Sequence, residues 1–145
     1  MTIFPTILVL NGLLQYQPAI SPLLPTPLTL LIHDLREDGF RVVEDTHFVT
    51  LHSNEEPVIV VGHSQGGGAA LRYAERMKRE AKFNPLVITF DAAPNYRCPT
   101  RCINFMSRQY PPVPGASNIN SNSKCSRGMN RMRIATPRSR ASDRV

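Results

Sequence analysis

The sequence predicts an α/β protein: a parallel sheet flanked by helices, followed by a disordered basic tail. Three observations carry this expectation. Short apolar, β-branched runs alternate with segments of helical spacing, the order that a parallel sheet with right-handed crossovers requires. One run, Pro57 to Val61, passes through Gly62-His63-Ser64-Gln65-Gly66 directly into a helical segment. Finally, the net charge of +6 lies wholly beyond Asn120, in a stretch with almost no apolar periodicity.

The elements follow in order. Thr6 to Leu10 is a continuous apolar run closed by Asn11-Gly12, and reads as a strand buried on both faces. Leu13 to Pro27 contains Pro18, Pro22, Pro25 and Pro27 and reads as loop. Thr26 is placed to cap a helix that has Pro27 at its first position. Leu28, Leu31, Ile32 and Leu35 continue that helix at the right spacing, and Gly39 closes it in the left-handed conformation. His33 sits on this helix beside Leu31 and Ile32 and is expected to be partly buried. Phe40 to Val43 is a second strand and Glu44 to Glu56 a polar loop. Val58 to Val61 is the third strand. After Ser64, residues Ala70, Tyr73, Ala74, Met77 and Ala81 share one helix face, with Arg72, Arg76 and Arg79 largely off it, until Asn84-Pro85 ends the helix. Leu86 to Phe90 and Cys102 to Met106 complete the sheet as fourth and fifth strands. Asn11-Gly12, Asp45, Ser64, Asp91 and Ser107 therefore gather at carboxyl ends of strands, where open α/β sheets bind ligands.

The 145 residues suit one folded core, residues 1–120, and a tail, residues 121–145. Up to Asn120 ten basic residues balance ten acidic ones, whereas the tail holds seven basic residues against Asp143. No aromatic side chain is interleaved among those arginines for base stacking, so specific nucleic-acid binding is not expected. The odd set Cys98, Cys102 and Cys125 fits no closed disulfide framework and has no paired zinc spacing; Cys98 and Cys102 could approach each other only if the local turn allows it, and free thiols are the expectation, with no metal and no cofactor. The apolar stretch Ile7 to Leu10 is too short for a membrane span and has no basic leader, so neither a transmembrane segment nor a secretory signal is evident. A cytoplasmic location is the expectation.

The Ser64 junction carries the chemistry. A strand that turns at once into a helix leaves no room beside the turn, so the residues two before and two after the serine must be small, as Gly62 and Gly66 are. A serine there stands at the top of the sheet with its hydroxyl exposed. Because a helix starts at this point, the neighbouring amides face the place where negative charge develops on an attacked carbonyl. Gly66, Gly67 and Gly68 also suit plain helix–sheet packing, and a glycine-rich turn with no chemistry has the same composition.

In its strand and helix context, Gly62-His63-Ser64-Gln65-Gly66-Gly67 resembles the nucleophile elbow of lipase- and esterase-like members of the α/β-hydrolase superfamily. The resemblance covers about Thr6 to Phe105 in element order and is residue-specific only at the elbow. It implies a partial α/β-hydrolase fold with Ser64 as nucleophile. It also implies an oxyanion hole from the amide of Gln65 and one near Gly12 or Leu13, where Asn11-Gly12 departs from the family's frequent His-Gly. Members place an acid and then a histidine after the serine. Asp91 is the candidate acid, its alternative role being to cap the Ala92-Ala93-Pro94 turn. The four histidines are His33, His47, His52 and His63, and none follows Ser64. His63 is expected to be structural. A base from His47 or His52 would be a non-standard order, and the plainer expectation is a base lost with the C-terminal part of the fold.

The function implied is that of a serine hydrolase on carboxylic esters or thioesters, with a small acyl ester or lipid as substrate. Leu13 to Pro25 would line an acyl pocket or pack as ordinary loop. The alternative is a non-catalytic or truncated hydrolase-like protein that binds lipid or a protein partner.

Overall fold

The computed structural model describes residues 5–12, 27–46, 56–107 and 109–120. Their elements are β1 (Thr6–Asn11), α1 (Pro27–Glu37), β2 (Arg41–Thr46), β3 (Ile59–His63), α2 (Gln65–Arg79), β4 (Leu86–Phe90), β5 (Arg101–Met106) and β6 (Ser117–Asn120). All six strands are parallel, in the order β2-β1-β3-β4-β5-β6. The Leu13–Pro25 stretch, the Thr26 cap, His47, His52 and the tail lie outside the described residues.

Alternation along β1 sorts the core into two layers. Leu8 and Leu10 point to one face, where they pack with Val60, Val87 and the buried residues Ala70, Leu71, Tyr73, Ala74 and Met77 of α2. Ile7 and Val9 point to the other, against Val61 and Leu28 and Ile32 of α1. One helix therefore covers each face. Full burial of a side chain such as Leu71 contributes on the order of 1.5–3 kcal/mol, so these seams hold the sheet. Helix α1 ends as its glycine requires. Gly39 sits at φ 86, its amide donates to Arg36 O at 3.0 Å, and the Phe40 amide donates to Leu35 O at 3.0 Å.

The structure corrects several expectations. Strand β2 runs on to Thr46, because Glu44 and Asp45 find β1 partners in Val9 and Leu10; the polar composition of 44–46 had suggested loop. His33 is exposed on α1, its side chain 70% accessible, since Ile32 and not its neighbour faces the sheet. Ala81 lies beyond the end of α2, exposed and at φ 51, rather than on the buried face. Strand β6 was not anticipated. Cys98 and Cys102 are not free thiols but a disulfide. The connection from β4 to β5 contains no helix. It returns as an irregular strap over residues 91–100 that brings Cys98 to Cys102 on the α2 face of β5. Among the described residues no helix is long and apolar enough to cross a membrane.

Candidate functional site

The chain leaves β1 in two directions. Through α1 it reaches β2 on one side, while β3 lies on the other side and every later strand adds beyond it. The reversal falls at the carboxyl ends of β1 and β3, the position where sheets of this kind hold ligands. Gly12 follows the first of these strands and Ser64 the second.

Ser64 occupies φ 53, ψ −122, a conformation that non-glycine residues adopt only when their surroundings enforce it. The enforcement comes from backbone. The Ser64 amide donates to Phe90 O at 2.9 Å. The Ser64 carbonyl accepts from the amides of Gly67 at 2.9 Å, Gly68 at 3.3 Å and Ala93 at 2.9 Å. A Cβ on Gly62 would run into the Gly66 carbonyl, and one on Gly66 into the Leu10 carbonyl. The two glycines let helix and strands approach to backbone contact, which is what bends the chain at the serine.

Gly12 is buried against the same turn. A Cβ on it would stand 3.3 Å from Ser64 Cβ and 3.6 Å from Gln65 N. Gly12 and Gln65 thus flank the serine. Leu13 lies outside the described residues. His63 is in register with Phe90, on the α1 face of the sheet. Burial holds its pKa below 6.5, and the Asp91 charge partly opposes that shift.

Asp91 follows β4 at φ 49. Its amide donates to Phe105 O at 2.8 Å, and its Oδ1 accepts from the Ser107 amide at 2.6 Å. The carboxylate therefore ties β4 to the end of β5 and does not cap the Ala92-Ala93-Pro94 turn. Asn11 Oδ1 and Ser107 Oγ are buried at this same edge with no hydrogen-bond partner among the described residues. No group of three His, Cys, Asp or Glu able to hold a metal ion occurs among them. An open groove of about 290 Å³ lies elsewhere, between α1 and β2, lined by Thr29, Ile32, His33, Arg36, Glu37 and Glu44.

One set of polar residues escaped the sequence reading. Thr89 Oγ1 donates to Asn104 Oδ1 at 2.7 Å, and Asn104 Nδ2 donates to Asn118 Oδ1 at 2.9 Å. Asn118 in turn accepts from the Val113 amide at 2.8 Å and donates to Val113 O at 3.0 Å. Thr89 pairs with Asn104, and Asn104 with Asn118, in the sheet register. The available signal was one polar residue at the same height in three successive strands.

No family model, curated protein or solved structure matches this chain.

Proposed function

We propose that the protein is a serine hydrolase acting on carboxylic esters or thioesters, built on part of an α/β-hydrolase fold. The observation that carries the reading is Ser64 held at φ 53 between the end of β3 and the start of α2, with Gly12 packed against it. In this reading the Ser64 hydroxyl attacks the carbonyl carbon. The developing oxyanion takes hydrogen bonds from the amides of Gln65 and of Gly12 or Leu13. Asp91 is the acid of the site. Gly62 and Gly66 are the small residues of the elbow, and His63 supports it from the α1 face without serving as base.

The second reading is a non-catalytic hydrolase-like protein that binds lipid or a protein partner. It is favoured by the absence of any histidine after Ser64 in the sequence. A serine without a base keeps only binding and oxyanion contributions, on the order of 10³–10⁴-fold over water. The proposed cytoplasmic location goes with a reduced Cys98–Cys102 pair, since the disulfide form belongs to oxidising surroundings.

Labelling with a fluorophosphonate probe separates the readings. Slow labelling that disappears in Ser64→Ala supports a hydrolase with a deficient base. Rapid labelling that is lost in His47→Ala or in His52→Ala would give the site its base. No labelling of the folded protein at any probe concentration sinks the hydrolase reading and leaves the binding one.

A further inference from the structure

The strap over residues 91–100 touches the candidate site at one end and the disulfide at the other. At its upper end, Ala93 N donates to Ser64 O at 2.9 Å. The backbone of Ala92, Ala93 and Pro94 there packs so closely on α2 that a Cβ on Gly68 would lie 2.8 Å from Pro94 O. Below that, the strap is held by individual contacts. Arg72 lies over the Tyr96 ring at 5.7 Å, Asn95 Nδ2 donates to Pro112 O at 2.9 Å, and Cys98 N donates to Pro114 O at 2.8 Å. Lys78 Nζ reaches Pro99 O at 2.8 Å and Thr100 Oγ1 reaches Pro85 O at 2.9 Å. Most of these contacts are solvent-accessible, and each is individually weak. The covalent tie is Cys98–Cys102, which anchors the strap to a residue buried in the α2 layer of the core.

We propose that this disulfide is a redox-controlled clamp on the strap that supports Ser64, opened by a dithiol reductant. A thiolate of the reductant attacks the sulfur of Cys98, the more accessible partner, and Cys102 leaves. The second thiol of the reductant then displaces Cys98. The reductant ends as its own disulfide, and the two electrons and two protons it gives up leave Cys98 and Cys102 as thiols. The sheet keeps its register, because no strand pairing depends on the bond. The strap loses its anchor, and with it the Ala93–Ser64 hydrogen bond weakens. The effect on the serine rests on the hydrolase reading; the loosening of the strap does not.

The test uses the full chain carrying Cys125→Ser, so that only one cysteine pair responds. Amide hydrogen exchange is compared between the oxidised protein, the protein reduced with dithiothreitol, and the Cys98→Ser/Cys102→Ser variant. In the two thiol-free or reduced forms, exchange of the Ala93 amide and trypsin cleavage after the exposed Arg97 should rise by about 10-fold or more, with Val60 and Leu71 unchanged. The short ring, with a sequence separation of 4, bounds the effect at about 30-fold. Equal strap exchange in all three forms overturns the clamp. A rise at Val60 and Leu71 as large as at Ala93 also overturns it, since the bond would then be a staple for the whole fold. Fluorophosphonate labelling is followed in parallel. A strap that loosens around a Ser64 that never takes the probe removes the hydrolase reading and keeps the clamp. A Ser64 labelled at one rate in every form removes the clamp's hold on the serine.

Discussion

Two regions of this sheet, the turn at Ser64 and the β5–β6 margin, are held by different atoms. Around Ser64 the ties run from backbone to backbone: Ser64 to Phe90, Gly67, Gly68 and Ala93, with Gly62 and Gly66 allowing contact that no side chain would permit. At the β5–β6 margin the ties are side chains: the Thr89–Asn104–Asn118 ladder, the Asp91 carboxylate on the Ser107 amide, and the disulfide. The first region has no tolerance for added atoms. The second depends on every partner being present, since Thr89 and Asn104 are buried. Steric exclusion thus guards the serine turn, and hydrogen-bond completeness guards the margin.

The largest effect expected from this contrast is Gly66→Ala. Its methyl group meets the Leu10 carbonyl, which is backbone and has no rotamer to escape into. Denaturant unfolding should show a loss of about 3 kcal/mol. A loss under about 1 kcal/mol would mean that the two backbones do not touch.

Asn104→Ala should cost about 2 kcal/mol, because it leaves the Thr89 hydroxyl buried without its acceptor. The pair Thr89→Val with Asn104→Leu removes both partners and should recover most of that loss. If the double variant is as unstable as the single one, the margin is held by shape and not by hydrogen bonds.

Ser64→Gly should move the other way. Glycine adopts φ 53 without strain, so the variant should gain about 1 kcal/mol in the same measurement while losing all probe labelling. A destabilised variant would show that the serine hydroxyl supports the turn.

The smallest effect concerns pH. Burial lowers the pKa of His63 from 6.5, against the opposing influence of Asp91. The unfolded chain therefore takes up this proton first as pH falls. The stability that neutral His63 contributes is full above pH 6.5 and is lost as pH drops through the lower folded value. Melting temperature should fall from pH 7 to pH 5, and His63→Gln should flatten the slope. An unchanged slope would place the pH response elsewhere.

The same contrast explains what the sequence discloses. Steric demands are written in composition: the apolar run ending at Val61, the glycines at 62 and 66, and Gly39 after α1 all name their conformations. Strands β1, β3, β4 and β5 and helices α1 and α2 were legible for this reason. Strand β6 was not, since Ser117-Asn118-Ile119-Asn120 has neither an apolar run nor strict alternation and is anchored through Asn118. Nor was the end of β2, where the polar residues Glu44 and Asp45 continue an edge strand. The cysteine pairing depended on a crossover without a helix, which residue spacing does not announce. At the candidate site, the turn was readable in Gly62 to Gly66, whereas the tie from Asp91 to Ser107 links two strand ends that only the fold brings together.

The strand order also imposes a sequence of events. From β4 onward each strand docks on the outer edge left by its predecessor, so the sheet widens in the direction in which the ribosome delivers the chain. Ser64 emerges before the atoms that hold it. Its partners Phe90 and Ala93 come a whole helix later, and until they arrive only the bonds from Gly67 and Gly68 and the backbone contacts at Gly62 and Gly66 act on the turn. A nascent chain paused within α2 would hold Ser64 without two of the bonds that fix it, those to Phe90 and Ala93. The fully tied turn at Ser64 is thus a late product of synthesis, complete only after β4 and the Ala93 amide have been added beside β3.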